Sequence, residues 1–245
     1  MFSLKRRYLF LTAAAAVLVA GCGGGDGGGN GNGGSTNGGP APATGSGGGD
    51  GEIKQYKLSE LPKLGDPLPP LDGGRVQLAP PTGWHVLPRS SDYVTGFYKT
   101  DRNKLPRIII DGADEADGPA TLTAAELPAF VKKIEAEVNK DLTDNEVLLE
   151  PVRPLILGDT PCARYVRAAK IRVLSSAVAA EQMFLVTVLN GRRYTLRLQV
   201  AKGELLGARD ACYSVAAHLK PAEGAPSGPA AEPEEPAAEA NGEES

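Results

Sequence analysis

The sequence predicts an α+β domain in which helices pack on an antiparallel sheet. Three features predict this class: two strand-like runs joined by Asn190-Gly191, a helix over 123–142, and a last helix over 205–219. An Asn-Gly pair between strand-like runs favours a two-residue type I′ turn, because both residues tolerate positive φ. The predicted order of elements is β-β-β-α-β-β-β-β-α.

Three short strands precede the first helix. Residues 75–79 alternate polar and apolar side chains and end at two prolines, which is typical of a strand before a turn. Residues 93–99 form a second strand, and the β-branched run at 107–110 forms a third. We expect only an irregular lead-in over 53–73, where proline and glycine interrupt any periodicity.

The first helix has both a start signal and an apolar stripe. Thr123 and Glu126 have the spacing of a capping box. Apolar side chains then recur at helical spacing; these are Leu127, Phe130, Val131, Ile134, Val138 and Leu142. Strands over 146–157 and 162–173 are expected next, and Pro221 ends the last helix.

The Asn-Gly turn fixes the register of its hairpin, which joins 183–189 to 192–200. It predicts three cross-strand pairs on one face: Tyr194 with Thr187, Leu196 with Leu185, and Leu198 with Met183. The opposite face carries Phe184, Val186, Arg193 and Arg197.

Several short motifs together resemble the PsbP-like superfamily. They are Pro80-Pro81-Thr82-Gly83-Trp84, the helix near Phe130, Leu155-Ile156-Leu157-Gly158 before Cys162, Asn190-Gly191-Arg192-Arg193-Tyr194, and His218-Leu219-Lys220-Pro221. The resemblance covers about residues 74–220 and implies an α/β/α sandwich. That superfamily includes photosystem extrinsic subunits and the nuclear-import factor that binds the Ran GTPase, so the fold carries over more safely than function.

The N-terminus resembles a bacterial lipoprotein signal. Basic residues 5–7 precede an uncharged run over 8–20, and Val19-Ala20-Gly21 leads into Cys22. The apolar run is about 20 Å long as a helix, too short for a bilayer core of about 30 Å. We expect 1–21 to be a signal peptide and Cys22 to carry the lipid anchor in the cell envelope. An ordinary secretory signal with a chance cysteine is the alternative.

Both flanks of the predicted domain have the composition of disordered chain. Residues 23–51 contain sixteen glycines in twenty-nine positions, so we expect a lipid-linked tether over 22–52. Residues 221–245 contain seven glutamates and no lysine or arginine, and we expect a solvated acidic tail. Gly23, in place of an aspartate after the cysteine, favours the outer membrane.

Charge and motif content limit the classes of function. Residues 53–220 contain 23 basic and 20 acidic side chains, which does not favour a nucleic-acid partner. The common hydrolase, zinc, phosphate-loop and C-x-x-C motifs are missing. His85 and His218 are interpreted as structural, and a solvated acidic loop is favoured over a Ca²⁺ site at Asp111, Asp114, Glu115 and Asp117. We expect no enzyme, no cofactor and no metal.

Cys162 and Cys212 are the two remaining cysteines in a chain that we expect to be exported. An even number of thiols in an oxidising compartment favours a disulfide between them. Two buried, unpaired thiols are the alternative.

Basic side chains on neighbouring strands form a candidate docking patch. Arg164, Lys170 and Arg172 alternate along one strand, and Arg193 and Arg197 lie on the hairpin. If the strands are adjacent, these residues merge into one surface for an acidic partner or anionic lipid. A plain solvated edge is the alternative.

These observations predict a membrane-tethered, non-enzymatic binding or accessory lipoprotein that docks on an envelope protein or complex. A lipid or small-ligand carrier and an envelope hydrolase with an unrecognised site are the alternatives. A deep apolar pocket favours either alternative, and a filled core favours docking.

Overall fold

One large sheet lies at the centre of the fold, and each α-helix packs on one of its faces. The computed structural model describes residues 53–115, 117–143 and 146–224. Its strands are β1 (Lys54–Tyr56), β2 (Val76–Gln77), β3 (His85–Val86), β4 (Thr95–Tyr98), β5 (Arg107–Asp114), β6 (Val147–Leu157), β7 (Thr160–Val173), β8 (Ser176–Leu189), β9 (Arg192–Ala201) and β10 (Lys220–Pro221). The helices are α1 (Leu127–Asp141), α2 (Leu205–Ala217) and a 3₁₀ turn at Leu58–Glu60.

The strand order in the large sheet is β1-β6-β7-β8-β9-β5-β4-β3. Every pair in it is antiparallel except β1 with β6, which is parallel. The strands β2 and β10 form a separate antiparallel pair. The α+β prediction, with an antiparallel sheet and helices packed on it, is therefore confirmed.

The Asn-Gly hairpin has the predicted register. Asn190 and Gly191 both have positive φ, 53° and 72°, as a type I′ turn requires. The pairs Thr187 with Tyr194, Leu185 with Leu196, and Met183 with Leu198 are all present. All six of those side chains are buried.

Alternation along the strands divides the core between the two faces of the sheet. On the face where α2 packs, here the α2 face, the cluster includes Phe97, Ile108, Leu185, Tyr194 and Leu196. On the opposite α1 face, five residues of α1 meet side chains of β6, β7 and β8; these are Leu127, Phe130, Val131, Ile134 and Val138. Because the helices lie on opposite faces, the fold is the expected α/β/α sandwich.

Helix α1 begins four residues later than predicted. The Glu126 carboxylate accepts hydrogen bonds from the backbone N–H and the hydroxyl of Thr123, at 3.0 and 2.7 Å. These contacts close a separate turn, and the helix starts at Leu127 with Pro128 in its first turn, where a missing N–H costs least. The capping pattern is correct, but it belongs to the turn before the helix.

The predicted irregular lead-in over 53–73 contains one short strand, and it packs on the core. Strand β1 extends the sheet beside β6, and Leu61 is buried in the α2-face cluster with 8% exposure. The hydroxyl of Ser214 on α2 donates to the carbonyl of Pro62 at 2.7 Å. A parallel edge strand leaves no local signature, because its partner lies about a hundred residues later.

The C-terminal boundary also shifts. Lys220 and Pro221 pair with β2, and Ala222 has 4% exposure. The folded region therefore extends on both sides of the predicted 74–220.

Candidate functional site

The structure does not bring the five predicted patch residues onto one surface. Arg164 pairs with Leu185, which places Arg164 on the α2 face. Arg197 pairs with Phe184, which places Arg197 on the α1 face. Lys170 and Arg172 share the face of Arg164, and Arg193 shares that of Arg197. The expectation of a single merged patch is therefore corrected.

Arg164 is engaged in an ion pair and is mostly buried. Two of its N–H groups donate to the carboxylate of Glu150, at 2.5 and 3.0 Å. The hydrogen bond from Arg164 is the main cause that lowers the pKa of Glu150. Arg164 therefore fixes β7 to the neighbouring strand β6 and is not available for docking.

Arg193 lies at the centre of a charge network between β9 and α1. It donates to Glu115, and two other N–H groups donate to Glu137 at 2.6 and 3.2 Å. Lys133 on α1 also donates to Glu115. Burial alone raises the pKa of Glu115, but the hydrogen bonds from Arg193 and Lys133 outweigh it and leave the pKa below its usual value. This network fastens α1 to the sheet.

Helix α1 covers only part of the α1 face of the sheet. It packs on β6 and β7 and reaches β8, whereas β4, β5 and the far half of β9 lie beyond it. Three arginines lie across this face, on β5, β9 and β7, and we call them the arginine strip: Arg107, Arg197 and Arg167.

Arg107 and Arg197 are diagonal neighbours on adjacent strands. Arg107 pairs with Gln199, and Ile109 pairs with Arg197, so the two guanidinium groups share one side of the sheet. Arg107 donates to the side chain of Gln199 at 3.1 Å. The side chain of Arg197 is 31% exposed and lies 3.5 Å from Asp111.

Arg107 lacks a carboxylate partner among the described residues. Its pKa is lowered, first by burial and then by the positive charge of Arg197. The Nε–H groups of Arg107, Arg167 and Arg197 are buried and donate to no described acceptor. The strip therefore has positive charge and hydrogen-bond donors in excess of its local acceptors.

Arg167, the third member of the arginine strip, packs against aromatic rings. The guanidinium of Arg167 is 4.6 Å from the ring centre of Phe184, which itself stacks on Tyr165 at 4.6 Å. Arg167 also forms an ion pair of 3.2 Å with Glu146. Burial raises the pKa of Tyr165 to about 12, so this phenol is neutral at physiological pH.

A cleft of about 350 Å³ lies between α1 and this end of the sheet. Five of its lining side chains are charged: Glu137, Asp141, Glu146, Arg167 and Arg193. Of these, Glu137 pairs with Arg193, and Glu146 pairs with Arg167. The cleft is therefore polar, and four of its five charged side chains neutralise one another in these two ion pairs.

Cys162 and Cys212 lie in the same buried cluster, on the α2 face. Both are fully buried free thiols in the structure, which is the second of the two expected arrangements. Burial raises the pKa of Cys162 to about 12, and burial together with the nearby Cys162 raises that of Cys212. The two side chains are neighbours, and the disulfide itself stays a prediction.

Both histidines have structural contacts. The Nδ1 atom of His218 lies 2.9 Å from the carbonyl of Ser214, at the end of α2. The exposed ring of His85 lies 5.2 Å from that of Tyr98 on the neighbouring strand. These two residues lie at different places in the fold.

Two acidic residues of the predicted loop, Asp111 and Asp114, belong to β5, and three of the four pair with arginines. Asp111 faces Arg197, Asp114 pairs with Arg192 at 2.7 Å, and Glu115 binds Arg193. Asp117 is exposed. Three of these four carboxylates are therefore engaged with cations on β9.

The predicted signal peptide 1–21, the predicted lipidation site Cys22 and the predicted tether 22–52 lie outside the described residues, as does most of the predicted acidic tail 221–245. Within the described part of the chain, neither helix has both the length and the apolar character needed to span a bilayer.

Sequence reasoning missed Arg107 and Arg167 as members of a site. Both occur in strands that the sequence predicts, but the sequence does not show on which face of the sheet each side chain lies. That face depends on the pairing of β7 with β8 and of β5 with β9, and neither pairing has an Asn-Gly turn to fix its register.

No family model and no curated protein matches the chain. It is similar to the crystal structure of LpqN, involved in cell envelope biogenesis of Mycobacterium tuberculosis, with 16% identity over 69% of this chain and 99% of that one, and a TM-score of 0.41. It is similar to PsbP (CyanoP) of Synechocystis sp. PCC 6803, with 15% identity, coverage of 63% and 94%, and a TM-score of 0.36.

A third similar structure is a protein from Bacteroides thetaiotaomicron VPI-5482, with 16% identity, 66% of this chain covered and a TM-score of 0.41. This chain spans about half, 50%, of the length of that protein. Likenesses of this size concern the fold alone and transfer no partner, ligand or activity.

Proposed function

We propose that this chain is a non-enzymatic binding protein of the cell envelope, held by a lipid at Cys22, that docks on an envelope protein or complex. The sequence of 1–22 supports the anchor, and Gly23 supports the outer membrane. The docking surface is the arginine strip, and its partner presents carboxylates.

The choice of this docking surface rests on one observation. Arg107 is a half-buried guanidinium without a carboxylate partner among the described residues, and it lies next to the like charge of Arg197. A cation that is partly removed from water and not paired is unfavourable. An acidic side chain on a docking partner supplies the missing negative charge and accepts the unused N–H groups. The free energy gained in the complex therefore depends on Arg107 and Arg197 together.

The cleft beneath α1 supports docking more than ligand carriage. Ligand pockets are mostly apolar with a few polar groups, whereas half of the ten residues lining this cleft are charged. Such a lining disfavours an acyl chain. Nucleophilic catalysis requires a base within hydrogen-bond reach of the nucleophile. His218 is a candidate base by residue type, but its Nδ1 atom already contacts the backbone carbonyl of Ser214.

The test is capture from crosslinked cell envelopes followed by mass spectrometry. We expect the wild-type chain to retain one partner or complex, and the Arg107→Gln, Arg197→Gln double variant to lose most of it. The matched control is Lys202→Gln with Lys220→Gln, which removes two exposed positive charges away from the strip. When salt is added before the crosslinking step, capture by the wild type is also expected to weaken, since salt screens exposed charges.

If the double variant melts at the wild-type temperature and still retains the same partner, the arginine strip is not the docking surface. Loss of the partner by the lysine control as well indicates a general charge effect and contradicts the proposal equally. The Arg193 position is unsuitable for this test, because its reversal breaks the network with Glu115 and Glu137.

A further inference from the structure

The β7–β8 hairpin extends beyond both neighbouring strands. The last pair with β6 is Val147 with Ala168, and the last pair with β9 is Ala201 with Ala180. Past these pairs, residues 170–179 continue as two strands, which we call the arm. Four residue pairs at about 3.4 Å each give the arm a length of about 14 Å.

The two faces of the arm differ in chemistry. Lys170 and Arg172 lie on one face and are exposed, and neither forms an ion pair with a described carboxylate. The other face carries the apolar side chains of Ile171, Val173 and Val178. The segment 160–180 contains no aspartate or glutamate, so no acid within it offsets the two cations.

A leucine occupies the tip of the arm. The side chain of Leu174 is 71% exposed, and its φ is 57°. A bulky residue in the left-handed region is unfavourable, and asparagine or glycine is the usual choice there. The neighbouring hairpin uses Asn190-Gly191 at the equivalent place. Leu174 therefore has a conformational cost that no burial offsets in the described fold.

We propose that the arm docks on an anionic lipid surface, with Leu174 among the lipid head groups and the cations facing lipid phosphates. Counted along the strand, Arg172 lies about 7 Å and Lys170 about 14 Å behind the tip. An apolar tip with positive charge behind it matches the boundary between acyl chains and phosphates. The proposal uses the envelope location given above, but it does not use the arginine strip.

Two alternative explanations account for only part of the arm. Exposed cations discourage edge-to-edge pairing of strands, but this role requires no leucine at the tip. An acidic protein partner matches Lys170 and Arg172, but it leaves the exposed Leu174 unused. An isolated two-stranded hairpin is also only marginally stable in water, so a surface that orders the arm adds stability.

The test is co-sedimentation of residues 23–245 with lipid vesicles. This chain omits the predicted signal and Cys22 and retains every residue that the structure describes. One vesicle contains phosphatidylcholine alone, and the other contains equal parts of phosphatidylcholine and phosphatidylglycerol. We expect binding to the anionic vesicles and little binding to the neutral ones.

Three variants connect this binding to the arm. Neutralising one cation, as Lys170→Gln or Arg172→Gln, is expected to weaken the partition about fivefold. Leu174→Asn is expected to weaken it severalfold without harm to folding, since asparagine tolerates this φ. The matched control is Leu206→Asn, which removes a 74% exposed leucine on α2 and is expected to leave binding unchanged.

Failure of the wild-type chain to bind anionic vesicles overturns the proposal, and so does equal weakening by Leu206→Asn. Unchanged vesicle binding by the Lys170, Arg172 and Leu174 variants also overturns the proposal. Loss of protein capture by arm variants, with vesicle binding intact, indicates a protein partner in place of lipid. The Arg107 and Arg197 variants separate the two hypotheses, because they affect protein capture and not vesicle binding.

Discussion

The hydroxyl of Tyr194 donates a hydrogen bond of 2.8 Å to the carboxylate of Asp72. Tyr194 lies in the middle of the sheet and is fully buried, while Asp72 belongs to the segment that the sequence predicts as irregular. The same carboxylate forms an ion pair with Arg192. Asp72 of the lead-in thus accepts the hydrogen bond of one β9 side chain and pairs with the charge of another, and the lead-in is part of the folded core.

We expect Tyr194→Phe to lower the free energy of unfolding by about 1.5 kcal/mol, because it removes this hydrogen bond and leaves the ring in place. Denaturant unfolding followed by circular dichroism measures the change. The control is Tyr98→Phe, whose hydroxyl forms no hydrogen bond with a described residue. Equal stability of the two variants contradicts the role assigned to Asp72.

A chain of residues 53–224 is expected to melt cooperatively near the temperature of the longer chain. A chain of 74–224 lacks β1, Leu61 and Asp72, and is expected to lose about 5 kcal/mol or more, because several buried leucine contacts are missing. Calorimetry of both chains gives the comparison. A cooperative transition of 74–224 at the same temperature shows that the lead-in is dispensable.

Replacement of Glu115, Glu115→Gln, is expected to cost about 2 kcal/mol at neutral pH, because its buried carboxylate accepts from both Arg193 and Lys133. The pKa of Glu115 is lowered from 4.5 in the folded chain, so its contribution is complete above that pH and is lost as the pH falls below it. The melting temperatures of variant and wild type therefore converge in acid. Glu135→Gln, an exposed change on α1, serves as the control.

A thiol titration tests the disulfide between Cys162 and Cys212. We expect no reactive thiol in denatured, unreduced protein taken from the envelope, and two after reduction. Native protein is unreactive in either state, because burial raises the pKa of Cys162 to about 12 and suppresses the thiolate. Two reactive thiols before reduction mean that the pair is unbridged.

Cys22→Ser is expected to move the protein from the membrane fraction to the soluble fraction, because two or more acyl chains hold far more firmly than protein contacts alone. Immunoblots of fractionated cells measure this. The control is Cys212→Ser, which leaves the predicted lipoprotein signal and Cys22 unchanged. A Cys22→Ser protein that stays in the membrane pellet after a high-salt wash, which screens the charges of the arm, contradicts the anchor.

The sequence by itself determined the two α-helices, the longer strands and one register. The Asn190-Gly191 pair fixed the β8–β9 hairpin, because only a two-residue turn of that type fits the twist of the flanking strands. The apolar stripe from Leu127 to Val138 determined which side of α1 meets the sheet. Both signals act within a few residues, so no distant partner is needed to interpret them.

Only the tertiary structure decided which side chains meet. A shift of one residue in strand pairing moves every side chain to the other face, and the Leu174-Ser175 turn does not fix the β7–β8 register in the way an Asn-Gly turn does. The separation of Arg164 from Arg197, and the meeting of Arg197 with Arg107, both depend on such pairings. The position of β1 depends on β6, whose distance along the chain places it beyond the reach of local patterns.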